Sequence, residues 1–172
     1  MFDAEFAFYG PMGFDIGQLM GNIALGAVAQ SLYAKPGSLE AKTRQALAES
    51  LVSVIEDLWS TYTQTFQTLF GAEEQAKDLL GTFPGKKDEF LEHFIEGVWR
   101  DARGYASLAM IRRIVGVADA PEMRVKDAKA RSKTESAALS FAQKQLLLEA
   151  ADKKGIEDFV KDLRAVVSQS FS

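Results

Sequence analysis

Apolar residues recur at helical spacing over most of the chain. The clearest case is near the end, where apolar positions follow one another at three- and four-residue intervals: Ile156, Phe159, Val160, Leu163, Val166 and Val167. This spacing puts the side chains on one face of a helix. It therefore predicts an amphipathic helix after a break at residues 153–155.

A longer pattern of the same kind follows the breaking residues KPGS at positions 35–38. Ser38 is a suitable N-cap, and the pattern continues to about Leu69. The apolar positions that predict the core face of this helix are Leu47, Leu51, Val54, Leu58, Tyr62, Phe66 and Leu69. One long helix is the expected structure here.

The remaining segments also indicate helices, apart from the beginning of the chain. Residues 2–9 are expected to be extended, and the Gly/Pro cluster at 10–13 predicts a turn. Asp15 is expected to cap a helix running to about Ala34. Two further helices are predicted, from Lys87 to Val115 with a break at Gly104, and from Pro121 to about Asp152. The fold class is therefore mainly α, with residues 1–172 as one helical domain.

Composition narrows the function classes. A net charge of −4 and a pI of about 5.1 argue against nucleic-acid binding. The chain has no cysteine, which excludes disulfides and thiolate zinc sites, and its single histidine, His93, cannot form a multi-histidine metal centre. No apolar run is long enough for a bilayer, and no signal peptide is evident. We therefore expect a cytoplasmic protein.

Two carboxylates at the start of the chain are the first candidate functional residues. Asp3 and Glu5 are two residues apart, so on an extended segment they point to the same side. Like charges repel unless a cation lies between them, and Mg²⁺ prefers a few carboxylates together with phosphate oxygens. The pair therefore fits either a Mg²⁺–nucleotide site or the solvated edge of a strand.

Two adjacent arginines are the second candidate. Arg112 and Arg113 lie within the apolar sequence MIRRIVG, so at least one guanidinium is expected near the boundary of the core. An arginine there keeps its charge and needs an acceptor. The acceptor is either an acidic residue elsewhere in the chain or a phosphate or sugar oxygen in a cleft.

These two segments together resemble one family. DAEFAFYGPMGFDIG and AMIRRIVG are similar to sequences of the methylthioribose kinases, relatives of protein kinases and aminoglycoside phosphotransferases. The resemblance implies that Asp3 and Glu5 bind the Mg²⁺ of ATP and that Arg112 and Arg113 bind the sugar. It also implies a structural hydrogen bond from Asp15 to a catalytic loop. Asp119 departs from the histidine expected in many relatives.

The resemblance implies a function, and it also implies that parts of the kinase fold are not in this chain. Family members use ATP and Mg²⁺ to phosphorylate the 1-hydroxyl of 5-methylthioribose in methionine salvage. The chain contains no H-G-D catalytic loop and no Gly-rich phosphate loop. We therefore expect the helical C-terminal lobe of a protein-kinase-like fold, without the N-terminal lobe and without catalytic residues, and inactive alone.

Two other interpretations remain open. Asp119 is compatible with a related kinase lobe that acts on another small molecule. A helical module without catalytic activity would instead bind a ligand or a protein, and its exposed cleft would favour association. Expected partners are 5-methylthioribose and ATP, with either a second copy of the chain or a complementing N-terminal half. No nucleic-acid or membrane partner is expected.

Overall fold

The computed structural model describes residues 9–34, 37–72, 87–117, 119–148, 152 and 154–171. These residues contain no strand, so the prediction of a mainly α fold is confirmed. The extended segment predicted at residues 2–9 lies outside this part, except for Tyr9. The α-helices are α1 (Gly13–Ala29), α2 (Leu39–Ala72), α3 (Lys87–Val115), α4 (Ala128–Leu146) and α5 (Ile156–Ser170). Two 3-10 turns, Gln30–Tyr33 and Pro121–Met123, follow α1 and precede α4.

Helix α1 lies at the centre of the fold. It packs most extensively on α3 and also contacts α2, α4 and α5. Its sequence is suited to this position because it is small or apolar on almost every side, with Met20, Leu25 and Val28 fully buried. Helices α4 and α5 pack against each other, and α5 also packs against α2.

Three glycines allow α1 to approach α3 closely. Gly13, Gly17 and Gly21 lie four residues apart on one face of α1, against the backbone of α3. A methyl group on Gly17 would come within 2.5 Å of the carbonyl oxygen of Ala102, and one on Gly21 would be equally close to that of Ala106. The two helices therefore meet backbone to backbone, and any side chain in this glycine seam would force them apart.

Replacement of Gly17 by alanine should lower the free energy of unfolding by about 2 to 3 kcal/mol. The added methyl group meets a helix backbone, which cannot rotate away as a side chain can, so α1 must shift. Urea unfolding followed by circular dichroism measures the effect.

Gly104→Ala in α3 is the matched control. A methyl group there meets nothing within 4 Å, so the substitution should raise the free energy of unfolding by about 0.5 to 1 kcal/mol through helix propensity. Equal effects of the two substitutions would contradict the packing of the glycine seam.

The core face predicted for α2 is wrong at Leu47 and Val54, whereas Leu51, Leu58 and Tyr62 pack against the core as predicted. Leu47 and Val54 are nearly half exposed, and the buried residues are Ala48, Val52, Ile55 and Trp59. The fully buried positions are rotated from the predicted ones by one residue, or about 100° around the helix, so the predicted stripe forms one edge of the core face. The sequence presents two adjacent apolar stripes, and the one with small Ala48 and bulky Trp59 fits against α1 and α5.

Three predicted boundaries also need correction. Helix α1 begins at Gly13, so Asp15 lies in its first turn and is not the N-cap. Helix α3 continues through Gly104 without a break. Pro121 starts only a short 3-10 turn, and α4 begins later, where the Asp127 carboxylate accepts hydrogen bonds from the backbone N–H groups of Lys129 and Ala130.

The predicted cap at Ser38 is confirmed, since its hydroxyl accepts the N–H of Ala41 at 3.1 Å.

The connection between α4 and α5 is held against α3 by two buried side chains. The indole N–H of Trp99 donates to the Lys154 carbonyl at 2.7 Å, and Nη2 of Arg103 donates to the Leu148 carbonyl at 2.8 Å. Burial lowers the pKa of the Arg103 guanidinium, and the negative charge of Asp152 partly offsets this. None of the helices in the described ranges is long and apolar enough to span a membrane.

Candidate functional site

Arg113 is the centre of a polar cluster near the C-terminal end of α3. Its Nη2 donates to Oε2 of Glu122 at 2.8 Å, and its Nη1 lies 2.8 Å from Oε1 of the same carboxylate. Nη1 also donates to Oδ1 of Asn22 at 2.7 Å, and Nε donates to the Asp119 carbonyl at 3.3 Å. The side chains of Arg113 and Glu122 are only 19% and 24% exposed. The two-point ion pair therefore joins α3 to the turn before α4, and the hydrogen bond to Asn22 joins both to α1.

Asp119 shapes the turn that follows α3. Its φ angle of 57° is in the left-handed region, which aspartate tolerates better than most residues. Its carboxylate accepts the N–H of Ala120 at 2.8 Å and pairs with Arg124. Its carbonyl accepts a hydrogen bond from Arg113. Asp119, which the sequence linked to the choice of substrate, therefore also helps to position one of the two arginines.

Arg112 differs from its neighbour. Its side chain is exposed and makes no hydrogen bond or ion pair with another residue in the part of the chain that the structure describes. It lies in the last turn of α3, where the helix dipole favours a positive charge. The helix ends three residues later at Val115, and the N–H of Gly116 bonds to the Arg112 carbonyl at 2.9 Å. The guanidinium is therefore available to an anionic or hydroxyl ligand.

Asp15 shares one exposed face of α1 with Asn22, which accepts from Arg113. The two residues are seven positions apart, or two helical turns and roughly 10 Å. Asp15 is exposed and lines a groove between α1 and α2. The carboxylate also lies in the first turn, where a negative charge stabilises the helix. The structural role predicted for Asp15 thus has a local basis, and its bond to a catalytic loop stays a prediction.

The predicted metal ligands Asp3 and Glu5 lie outside the described residues. Within the described ranges, no three His, Asp or Glu side chains are grouped as metal ligands. Two carboxylates alone suit Mg²⁺ by their chemistry, since this ion takes oxygen ligands and completes its shell with water and phosphate. The Mg²⁺ site therefore stays a prediction of the sequence.

The two tryptophans and the single histidine lie outside the polar cluster around Arg113. Trp59 and Trp99 are buried and pack together with ring centres 4.9 Å apart. His93 is exposed on α3. Neither tryptophan contacts the Arg113 cluster, so both belong to the core.

Sequence reasoning did not find Asn22, Glu122 or Tyr33 as members of this site. The Tyr33 hydroxyl donates to the Glu122 carbonyl at 2.9 Å and so fixes the turn that carries the partner of Arg113. A signal existed for Asn22, because it is one of few polar residues within the most apolar segment of the chain. For Glu122 the sequence offers no comparable signal.

Comparison with known proteins gives a consistent result. No family model matches the chain. Curated proteins named methylthioribose kinase do match it. The protein from Enterobacter sp. (strain 638) is 38% identical over 115 residues, which are 67% of this chain and 26% of the relative. The protein from Citrobacter koseri is 35% identical over 130 residues, or 75% and 30%. The protein from Erwinia tasmaniensis is 30% identical over 168 residues, or 97% and 37%.

These relatives are kinases by name, and the match to the Erwinia protein extends over nearly all of the helical fold. The chain belongs to the methylthioribose kinase family. It spans between about a quarter and just over a third of the length of these relatives. The resemblance noted from the two sequence segments is thereby confirmed.

Proposed function

We propose that this chain provides the helical C-terminal part of a methylthioribose kinase, which transfers the γ-phosphate of ATP to the 1-hydroxyl of 5-methylthioribose. The observation that carries the proposal is the family match over 97% of the chain. In this role residues 1–172 form one domain, and an N-terminal lobe with the catalytic loop is needed for activity. The expected setting is methionine salvage in the cytoplasm.

The two arginines have different roles at the proposed sugar site. Arg113 is held by Glu122 and Asn22, so its main effect is to fix the end of α3. Arg112 extends from this fixed end with all five of its N–H donors available. A guanidinium in that position binds a sugar hydroxyl or an oxygen of the transferred phosphate.

Asp3 and Glu5 would hold the Mg²⁺ of ATP in this proposal. An Mg²⁺ ion held there would supply positive charge to offset the negative charge that develops during phosphate transfer. Both carboxylates belong to the chain itself, whereas the group that accepts the proton of the sugar hydroxyl does not. The chain thus contributes metal and sugar ligands, and its partner lobe contributes the base.

A fusion protein tests the proposed function. The part of the Erwinia tasmaniensis kinase that precedes the matched residues is joined to Met1 of this chain, and phosphate transfer from ATP is measured. We expect 5-methylthioribose to be phosphorylated faster than ribose, glycerol or aminoglycosides. A clear preference for another acceptor would favour a kinase of different specificity, for which Asp119 is the only sequence support. Binding of ATP without transfer to any acceptor would overturn the proposal.

Arg112→Ala in this fusion should lower kcat/KM for 5-methylthioribose by about 10- to 100-fold. Such a loss corresponds to one charge-assisted hydrogen bond. The free energy of unfolding should change by no more than about 0.5 kcal/mol, since Arg112 has no partner among the described residues. Steady-state kinetics and urea unfolding measure the two effects.

Arg113→Ala and Arg100→Ala provide the comparison. Arg113→Ala should cost about 2 kcal/mol of stability in addition to activity, because it leaves the half-buried Glu122 without its cation. Arg100 is exposed in the middle of α3, and Arg100→Ala should change neither quantity. If Arg112→Ala behaves like Arg100→Ala, Arg112 is not a substrate ligand.

A further inference from the structure

The turn at residues 119–124, between α3 and α4, provides two of the three partners of Arg113. Nε of Arg113 donates to the Asp119 carbonyl, and each Nη atom lies 2.8 Å from one oxygen of the Glu122 carboxylate. The third partner, Asn22, belongs to α1. The placement of the Arg113 guanidinium, and of the last turn of α3, therefore depends on where the 119–124 turn lies.

Glu122 is held at both its side chain and its backbone. Its carboxylate accepts from Arg113, and its backbone carbonyl accepts from the Tyr33 hydroxyl at 2.9 Å. Tyr33 is the last residue of the 3-10 turn after α1 and is 89 positions away from Glu122 in the sequence. Within the described ranges, it is the one side chain outside α3 that comes from another element and donates to the backbone of the 119–124 turn.

The Tyr33 ring is itself held in place by Arg44 of α2. Cζ of Arg44 lies 5.6 Å from the ring centre, within the range of a cation–π contact. Nη1 of Arg44 donates to Oε1 of Gln30 at 3.1 Å, and Nε2 of Gln30 donates to the Gly26 carbonyl at 3.0 Å. Contacts from α1 and α2 thus hold the ring, and its hydroxyl is a fixed donor for the turn.

The other contacts of the turn are apolar. Met123 is fully buried, Ala120 is 4% exposed, and the N–H of Met123 donates to the Ala120 carbonyl at 2.9 Å. Apolar burial is not directional, so these contacts hold the turn on the core without defining the orientation of Glu122, whose side chain is 24% exposed. The Tyr33 hydrogen bond supplies that orientation.

A small displacement of Glu122 is enough to disturb the arginine. A two-point ion pair needs two N–H groups aligned with two oxygens, and a hydrogen bond weakens steeply as its angle departs from linear. At a reaction site, a misplacement of about 1 Å can lower the rate about 100-fold even when its cause is remote. Loss of the Tyr33 bond should have a smaller effect, because Glu122 would keep Arg113 as a partner.

We infer that Tyr33 is a positioning residue for the proposed sugar site. By holding the Glu122 carbonyl, its hydroxyl aligns the Glu122 carboxylate with Arg113 and so sets the direction in which Arg112 extends. Tyr33 acts through Glu122 and does not touch the sugar. This inference rests on the proposed function, because the site that Tyr33 positions is the sugar site. The competing interpretation is that the hydrogen bond only supports the fold.

NMR of the arginine side chains in the chain alone tests the inference without catalysis. A guanidinium bound at two points rotates slowly about its Nε–Cζ bond, and this rotation is a property of the folded state. Tyr33→Phe keeps the ring and removes the hydroxyl, so it should speed the rotation of Arg113 at least about threefold. The signal is assigned by its absence from Arg113→Lys. An unchanged rotation rate would overturn the inference.

Kinetics of the Erwinia fusion test the effect on the sugar site. Tyr33→Phe should lower kcat/KM for 5-methylthioribose about 5- to 10-fold and leave the KM for ATP unchanged within about twofold. In the Arg112→Ala background, Tyr33→Phe should cause no further loss, because the side chain that it positions is gone. Equal losses in the two backgrounds would show that Tyr33 acts independently of Arg112, as a merely structural residue would, and would overturn the inference.

Tyr105→Phe is the matched control. The Tyr105 ring packs on Phe14 with ring centres 5.0 Å apart, and its hydroxyl makes no hydrogen bond with another residue in the described ranges. Its removal should change neither the rotation of Arg113 nor kcat/KM, and equal effects of the two substitutions would overturn the inference. If Tyr33→Phe speeds the rotation but the fusion does not phosphorylate 5-methylthioribose, the positioning of Arg113 by Tyr33 is supported and the proposed function alone is overturned.

Discussion

The chain by itself should phosphorylate 5-methylthioribose at least about 10⁴-fold more slowly than the Erwinia fusion. The chain has one histidine, His93, and its neighbours do not form the H-G-D sequence of a catalytic loop. A general base contributes about 10²- to 10⁴-fold, and positioning of ATP against the sugar contributes at least as much. A coupled assay for ADP, run at equal protein concentrations, compares the two.

The comparison needs a control for contaminating kinases. The Arg112→Ala form of the isolated chain, purified in the same way, serves this purpose. Robust activity of the chain alone that disappears in Arg112→Ala would show that it contains its own base, and the proposed division between two lobes would be wrong.

Asp3→Asn in the fusion should lower kcat by about 10³-fold. The substitution keeps the size of the side chain but removes a charge that, in the proposed function, would help to hold the Mg²⁺ of ATP. Because the defect is one of metal binding, part of the activity should return as the Mg²⁺ concentration is raised. The measurement is kcat as a function of Mg²⁺ at saturating 5-methylthioribose.

Asp57→Asn is the matched control, since Asp57 is an exposed aspartate on α2. It should leave kcat and the Mg²⁺ dependence unchanged. A loss in Asp3→Asn that does not depend on Mg²⁺, or no loss at all, would assign Asp3 to the solvated strand edge, the alternative that the sequence leaves open.

Local patterns predicted the elements better than their packing. The last helix follows directly from the spacing of residues such as Phe159 and Leu163, because one apolar face with a polar opposite face allows one orientation. Helix α2 has two apolar stripes instead, and the choice between them depends on the shape of α1 and α5. Such information is not present in the sequence of α2 itself.

For the candidate site, too, the local sequence predicted the position of a residue but not its partners. The apolar neighbours of Arg113 correctly predicted its position at the core boundary, and an acceptor was required there. One acceptor, Asn22, is 91 residues away in sequence. It reaches Arg113 only because the glycine seam brings α1 and α3 so close together. The family resemblance made both arginines candidates for substrate binding, but only the fold distinguishes the engaged Arg113 from the exposed Arg112.

The glycine seam has a mechanical consequence. At most helix interfaces, side chains change rotamer and let one helix slide by a fraction of a turn. At this seam the two backbones are in contact, so the sliding movement is small. Gly13 and Gly17 meet the middle of α3 around Ala102, and Gly21 meets Ala106 and Ala109, one turn before the two arginines. The seam therefore fixes the distance between Asn22, the residue after Gly21, and the last turns of α3. Arg113 can keep its hydrogen bond to Asn22 without any adjustment between the two helices.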